Sequence, residues 1–320
     1  MKRAHSAAVV LGGTVLVMNR IPASDDERRS RLYEGALLAL PATDTSTAFA
    51  AFTARMVAEA FDPLDVDSAQ EQLAVEDFVA VVAELKPRFT HAPEAKELLR
   101  DMLVSYGCEP AETYFDVPKL RIVTHSNYLT TGVGYAYTAH RDVWYSCPPG
   151  QNNWWMPVSE ILPECSLAFY PQWWERPAAN SSGGFDAFAW NATGRATAAQ
   201  HIGTDPRNHP RVTIQLDLGE EVRIVGAPGS LLCFSAAQLH ATVPNTSGRV
   251  RVSVDFRTAH IDDLRKRRGA AIVDSASTGS TIYDFYRLDG LGPVPNDVAA
   301  IYDAGGERKG PKTFSPIGME

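Results

Sequence analysis

Residues 249–256 read Arg-Val-Arg-Val-Ser-Val-Asp-Phe, so polar and apolar side chains alternate along the whole stretch. Successive side chains of a β-strand point to opposite faces, and the alternation therefore predicts a strand with one apolar and one polar face. Arg251 and Ser253 share the polar face. Taken alone, Arg251 is explained by a surface salt bridge, but a guanidinium can also hold a carboxylate through two hydrogen bonds. The residues that the rest of the sequence places near Arg251 decide between these readings.

Strand patterns of this kind dominate the second half of the chain. They cover 120–128, 135–142, 153–158, 166–170, 212–218, 222–225, 230–235 and 250–257. Eight strands are the number that a jelly roll needs, and helical patterns precede them. We therefore expect a mainly β protein with helical flanks, in which a jelly-roll barrel is braced by N-terminal helices.

Two histidines and one aspartate are the candidate metal ligands. His140 and Asp142 lie two residues apart on the predicted strand 135–142, so their side chains should point the same way. His240 follows the apolar run 230–235. Two imidazoles and one carboxylate can occupy one face of an iron(II) ion and leave positions open for a co-substrate and dioxygen. Thr242, two residues beyond His240, adds a hydroxyl near the same place.

The set His140-x-Asp142, His240 and Arg251 resembles the iron(II)/2-oxoglutarate-dependent oxygenases, and among them the phytanoyl-CoA dioxygenase-like branch. The stretches 140–147 (His-Arg-Asp-Val-Trp-Tyr-Ser-Cys) and 151–157 (Gln-Asn-Asn-Trp-Trp-Met-Pro) strengthen the resemblance, which covers residues 118–258. It implies a double-stranded β-helix, a cupin-like barrel. It also implies that Fe(II) binds to His140, Asp142 and His240.

The resemblance extends to the co-substrate and the reaction. It implies that the distal carboxylate of 2-oxoglutarate binds to Arg251 and Thr242, with an upstream amide from Asn127 or Asn153. The implied reaction consumes dioxygen and oxidises an unactivated C–H bond, by hydroxylation or by desaturation or cyclisation. An amino acid or a natural-product intermediate is the expected small-molecule substrate. Trp144, Tyr145 and Trp155 are the candidate substrate contacts. Trp144 and Tyr145 directly follow the first ligands, and at most one of the neighbouring Trp154 and Trp155 can face the barrel interior.

The chain is expected to form one oxygenase domain over residues 1–320. Residues 1–117 form a helical N-terminal part with helices at 46–61, 68–85 and 94–106, after an early strand at 15–18. Residues 118–258 form the barrel core, and 259–320 are a C-terminal extension. The core is interrupted by a loop insertion at 171–210, which we interpret either as a lid over the site or as a rigid excursion pinned by its tryptophans.

Composition narrows the function classes. The 320 residues are 45% hydrophobic, enough for a large core, and the formal net charge of -8 disfavours nucleic-acid binding. No apolar run is long enough to span a membrane, and four scattered cysteines favour free thiols in a reducing, cytoplasmic compartment. His125, His201 and His209 have no ligand spacing to the other candidates and are expected to be structural.

Two other function classes could keep the three ligands. One is a non-catalytic barrel that binds a metal or a small acid, and the other is a metal-dependent hydrolase or lyase without 2-oxoglutarate. Only the oxygenase requires Arg251 beside the ligands. His140-Arg141-Asp142 also spells the tripeptide of a protein-kinase catalytic loop, but Cys147 stands where the asparagine of that loop is expected.

Overall fold

Two β-sheets form the centre of the computed structural model, which describes residues 9–11, 17–194 and 197–303. The strands are β1 (Val9–Leu11), β2 (Val17–Met18), β3 (Leu37–Leu40), β4 (Thr113–Phe115), β5 (Lys119–Val123), β6 (Asn152–Pro157), β7 (Leu167–Phe169), β8 (Val222–Val225), β9 (Leu231–Ser235), β10 (His240–Thr242), β11 (Arg251–His260) and β12 (Tyr286–Arg287). The larger sheet has the order β12-β4-β11-β6-β9-β3-β2, with β5 also paired to β11. The smaller sheet has the order β1-β8-β7-β10. Among the strands of the described residues, β2 and β3 are the one pair that runs parallel.

Strand β11 has the two-faced character that its sequence predicts. Val252, Val254 and Phe256 are buried in the cluster that also contains residues of the helices. Arg251 and Asp255, on the opposite face, line a cavity beside the smaller sheet. The strand is central because β5 and β6 flank it on either side and β4 pairs with its end.

The helices cover the apolar face of the larger sheet. The helices in this layer are α1 (Asp25–Tyr33), α2 (Asp44–Phe61), α3 (Val66–Gln72), α4 (Val75–His91) and α5 (Pro93–Ser105). The shorter helices lie elsewhere: α6 (Ala187–Ala189) is in the insertion, and α7 (Ile261–Lys266) and α8 (Asn296–Ala299) form a separate buried cluster with Tyr114 and Ala259. Phe49, Phe89 and Leu99 of α2, α4 and α5 are fully buried in the same cluster as Phe256. The helix expected over 68–85 is instead two helices, and the first begins earlier than expected, where the side chain of Asp65 accepts a hydrogen bond from the amide of Ser68.

A second apolar layer joins the two sheets. Trp155 and Phe234 of the larger sheet share a buried cluster with Phe169 and Ile224 of the smaller one. Phe169 and Phe234 meet edge to face, with ring centroids 4.9 Å apart. Each large apolar side chain buried in this way contributes about 1.5–3 kcal/mol. The protein is thus an antiparallel-rich pair of sheets, packed face to face, with helices outside the larger sheet.

Two of the predicted strands are wrong. In 135–142 only His140 forms a β-bridge, because the rings of Tyr135 and Tyr137 pack edge to face in the cavity wall and Asp142 begins a short helical turn. In 212–218 only Val212 forms a bridge, and Ile214 is 56% exposed. The strand expected over 120–128 ends at Val123, before a turn with positive φ angles. The other predicted strands are confirmed to within a few residues.

The insertion 171–210 packs against the C-terminal extension. The carboxylate of Asp274 accepts hydrogen bonds from Arg141 Nε at 3.1 Å, Trp144 Nε1 at 2.7 Å and the amide of Ala178 at 2.9 Å. Asp186 also forms a parallel bridge with Thr278. The described part of the extension therefore holds the insertion in place at Ala178 and Asp186.

The ends of several predicted segments fall outside the described residues. The early strand expected at 15–18 appears as Val17–Met18, and residues 15–16 are not described. The same holds for residues 1–8 and 304–320 of the terminal parts. Among the helices of the described ranges, none combines the length and apolar character that crossing a membrane requires.

Asp274 should be one of the residues on which stability depends most. Its side chain is 4% exposed and its partner Arg141 is 1% exposed, so Asp274→Ala leaves a buried guanidinium without its carboxylate. We expect the free energy of unfolding to fall by about 3–5 kcal/mol, measured by chemical denaturation.

Asp262→Ala is the matched control, because Asp262 is 52% exposed and pairs with Lys266 on the surface. That variant should change the free energy of unfolding by less than about 1 kcal/mol. Equal losses in the two variants would show that Asp274 does not hold the insertion.

Candidate metal centre

His140 and His240 form a hydrogen-bonded pair across two chain segments. The amide of His140 donates to the carbonyl of His240 at 2.9 Å, and the amide of His240 donates to the carbonyl of His140 at the same distance. This is the closed pair of an antiparallel ladder, in which opposed side chains lie on the same face. The imidazole centroids are accordingly only 4.3 Å apart.

Both imidazoles have one nitrogen fixed by the backbone. Nδ1 of His140 lies 2.8 Å from the carbonyl of Thr138, and Nδ1 of His240 lies 3.0 Å from the carbonyl of Gln238. A carbonyl oxygen only accepts, so each Nδ1 carries the proton and each Nε2 keeps its lone pair free. Metal-binding histidines are oriented in this way in other proteins.

The carboxylate of Asp142 completes the group. Its Oδ1 lies 3.3 Å from Nε2 of His140 and 3.9 Å from Nε2 of His240, and one ligand atom from each residue lies within 4.8 Å of the others. Asn153 Nδ2 donates to Oδ2 at 3.0 Å, and Nη2 of Arg257 lies 3.6 Å from it. One oxygen is thus held by the protein, while the other faces the histidines.

The surroundings of Asp142 and His240 set the protonation states that a metal ion requires. Burial alone would raise the pKa of Asp142, but the neighbouring His140 and the charge of Arg257 outweigh it and hold the pKa well below its usual range. Burial, followed by the nearby His140, lowers the pKa of His240 to about 4. At neutral pH the carboxylate is therefore ionised and His240 is neutral, the forms that bind metals.

A cavity of about 330 Å³ opens beside these three residues. Its wall includes five of the other residues singled out from the sequence, namely Thr242, Arg251, Asn153, Tyr145 and Trp155. Asn127 does not contribute, since it lies exposed on the turn after β5 with a φ angle of 56°. Trp144 is fully buried in the core and bonded to Asp274, so it is not a substrate contact.

Arg251 is buried without a carboxylate partner among the described residues. Its Nη1 donates to the carbonyl oxygens of Cys165 at 3.0 Å and Ser166 at 3.2 Å, while Nε has no hydrogen-bond partner there. The guanidinium carbon lies 5.7 Å from the ring centre of Trp155. Burial, then the charge of Arg121, lowers the pKa of Arg251 to about 10. The buried hydroxyl of Ser253 also lacks a partner.

Three parts of the site were not predicted from the sequence. Arg257 lies against Asp142. The sequence contains a signal for this residue, because the alternation of 249–256, continued by one step, places Arg257 on the same face as Arg251. Asn153 was expected to bind a co-substrate and instead donates to Asp142. His209 was expected to be structural, yet it lines the cavity and stacks on Tyr135 with ring centroids 4.0 Å apart. Among the described residues neither of its nitrogens has a hydrogen-bond partner, and Nε2 lies 3.7 Å from a carboxylate oxygen of Asp205.

The insertion 171–210 forms one side of the cavity. Phe185, Trp190 and His209 all line it. The insertion is held to the 131–134 segment at Gly132, where a Cβ would lie 2.4 Å from the carbonyl oxygen of His201 and the φ angle is 56°. Only glycine fits this close approach.

Comparison with protein-family models gives no match, and comparison with curated proteins gives none either. Among solved structures, EvdO2 from Micromonospora carbonacea var. aurantiaca, complexed with 2-oxoglutarate, is 14% identical, with 76% of this chain and 94% of that chain covered and a TM-score of 0.42. The epimerase SnoN, in complex with Fe3+, alpha ketoglutarate and nogalamycin RO, is 10% identical over 74% and 85%, with a TM-score of 0.38. The non-heme monooxygenase ThoJ is 13% identical over 73% and 77%, also at 0.38.

Replacing any of the three facing residues with Ala should weaken the binding of a divalent metal such as Co(II), measured by isothermal titration calorimetry. We expect losses larger than the about 10–100-fold typical of residues that only orient ligands, and a loss within that range for Asn153→Leu. His260→Ala is the matched control, because His260 is equally buried but pairs with Glu112 away from the cavity. Wild-type affinity in Asp142→Ala would refute the assignment.

Proposed function

We propose that this chain is an iron(II)/2-oxoglutarate-dependent oxygenase of the phytanoyl-CoA dioxygenase-like branch, built on a double-stranded β-helix. One observation carries the proposal. A group of two fixed imidazoles and one carboxylate shares a cavity with a buried guanidinium that has no carboxylate partner among the described residues. The first feature suits a metal, and the second suits a co-substrate that brings its own carboxylate.

The ligand set fits iron(II). Two imidazole nitrogens and one carboxylate oxygen on one side of a metal leave the opposite positions open, which is the arrangement of non-heme iron oxygenases. His140, Asp142 and His240 would hold the ion. With 2-oxoglutarate and dioxygen, iron supplies an oxidant for C–H bonds while the 2-oxo acid is converted to succinate and carbon dioxide.

Arg251 would orient the co-substrate. Its free Nε and its remaining Nη2 form a fork that matches a carboxylate, and Trp155 lies across its face. Ser253 and Thr242 offer hydroxyls beside it. A five-carbon dicarboxylate held at Arg251 would point its other end along the cavity toward His140 and His240.

The remaining wall would exclude water and set the outcome. Tyr145 packs edge to face against His140, with ring centroids 5.9 Å apart, and Phe185 covers Tyr145 at 5.0 Å. A shielded site of this kind protects a reactive oxidant from side reactions. We propose hydroxylation as the default reaction, with desaturation or cyclisation as variants, on an amino acid or natural-product intermediate in the cytoplasm.

A hydrolase or lyase that used the same three ligands would leave Arg251 without a role. Burying a guanidinium without a partner carboxylate costs several kcal/mol, so a protein that needs only the metal would gain by replacing it. Arg251 therefore favours the oxygenase over that alternative and over a barrel that binds only a metal.

Arg251→Leu should raise the dissociation constant for 2-oxoglutarate while leaving Co(II) binding largely intact. Loss of a buried charge pair costs about 2–5 kcal/mol, so we expect a weakening of about 30-fold or more. Calorimetric titration of 2-oxoglutarate into the Co(II)-loaded enzyme measures it. Arg249→Leu, at an arginine that is 65% exposed, is the control. Unchanged affinity in Arg251→Leu would move the role to another residue, with Arg257 the next candidate.

The wild-type enzyme supplied with iron(II), ascorbate and 2-oxoglutarate should form succinate slowly even without its substrate. The formation should require dioxygen and should be lost in Asp142→Ala. Liquid chromatography with mass spectrometry detects the succinate. Succinate formation at the same rate under nitrogen, or in Asp142→Ala, would contradict the proposed chemistry.

A further inference from the structure

Lys86 brings a second cation without a counter-ion to the cavity wall. It lies on α4, which packs beside β5, and its side chain is partly buried among the residues that line the cavity. Its ammonium donates to the carbonyl oxygen of Val133. Across the described ranges, no carboxylate forms an ion pair with it, so two of its three N–H groups have no protein acceptor there.

The other cations of the wall already have carboxylate partners. Arg121 pairs with Asp255, with Nη2 and Oδ2 3.1 Å apart, and Arg207 pairs with Asp205 at 2.5 Å. Lys119 and Arg257 both pair with Asp116. Among the described wall residues, only Lys86 and Arg251 are cations without a carboxylate.

The surroundings of Lys86 make its charge unfavourable when nothing is bound. Burial, followed by the positive charge of Arg121, lowers the pKa of Lys86 to about 7, and Arg207 contributes in the same direction. Asp255 opposes them but is held by Arg121. A bound anion would relieve this repulsion and restore the charged form.

Aromatic rings line the same cavity as Lys86 and the candidate metal ligands. The guanidinium of Arg121 lies over Tyr137 at 5.6 Å, and Tyr137 lies against His140 at 5.1 Å. Tyr135, Phe185 and Trp190 extend this surface along the cavity. A ligand that reaches from the histidines to Lys86 would therefore contact rings along its length and a cation at its end.

We propose that Lys86 binds an anionic group, a carboxylate or a phosphate, of a substrate whose remaining part is apolar or aromatic. That the bound molecule is the substrate rests on the proposed oxygenase function. That an anion binds at Lys86 requires only the cavity. Arg251 takes the co-substrate carboxylate, and Lys86 takes the substrate anion. The anionic group fixes the end of the substrate away from the histidines and so selects the carbon presented to the metal.

Probe binding to the full chain tests the proposal. Phenyl phosphate and benzoate combine a ring with an anionic group, and benzyl alcohol is their neutral counterpart. Each is titrated calorimetrically into the Co(II)-loaded protein saturated with 2-oxoglutarate. We expect wild type to bind at least one of the anions more tightly than benzyl alcohol. Lys86→Met should weaken anion binding by about tenfold or more and leave benzyl alcohol unchanged. Lys86→Arg, which keeps the charge, should retain most of the affinity.

Other results would overturn the proposal. They are wild-type anion affinity in Lys86→Met, failure of wild type to bind either anion, or equal loss of benzyl alcohol binding. Weaker 2-oxoglutarate binding in Lys86→Met, with anion binding unchanged, would reassign Lys86 to the co-substrate. Thermal unfolding of both variants verifies that they are folded, and Lys86→Gln replaces Lys86→Met if the latter is not. If 2-oxoglutarate does not bind to wild type, the proposed function fails, while the anion comparison without it still tests Lys86.

Discussion

The pair of backbone hydrogen bonds between His140 and His240 is the constraint on which the site depends. It joins a segment that is otherwise irregular to the edge strand of the smaller sheet, and it sets two imidazoles side by side. Each ring is then turned by a carbonyl two residues before it. Because both orientations come from the backbone, the ligand geometry depends little on the packing of neighbouring side chains. Asp142 enters the same space from the helical turn that follows His140.

Strand β11 supplies the electrostatic counterpart of this geometry. One face closes the apolar core under the helices, and the other carries a row of charges into the cavity. Charges in such a place are costly unless they are paired. Arg257 is paired with three carboxylates, those of Asp116, Asp142 and Asp255. Because the other charges of the wall are paired in this way, a cation without a carboxylate among the described residues, such as Arg251, is a candidate site for an anionic ligand.

The sequence predicts the parts of this arrangement that local patterns encode. The alternation around Arg251 predicts its strand and the face of that strand on which it lies. The spacing of His140 and Asp142 predicts two candidate ligands, but on the wrong premise that both residues lie on one strand. Those residues do not share a strand; aromatic residues that line a cavity produce the same alternation as residues of a sheet. The position of His209 in the cavity wall cannot be predicted from local sequence patterns, because it depends on how the long insertion folds. Asn153 and Asn127 have the same chemistry, and only the fold separates them.

Arg141, between the two nearest ligands in sequence, points away from them and is 1% exposed. Its guanidinium donates to the backbone carbonyls of Trp173 and Arg176 in the insertion and is paired with Asp274 of the C-terminal extension. The tripeptide that contains two of the candidate metal ligands is thus also the anchor of the segment that forms one wall of the cavity. The insertion therefore cannot be exchanged on its own. A chimera that takes this segment from another protein must keep carbonyl acceptors for Arg141, and it must also keep the part of the C-terminal extension that carries the carboxylate of Asp274.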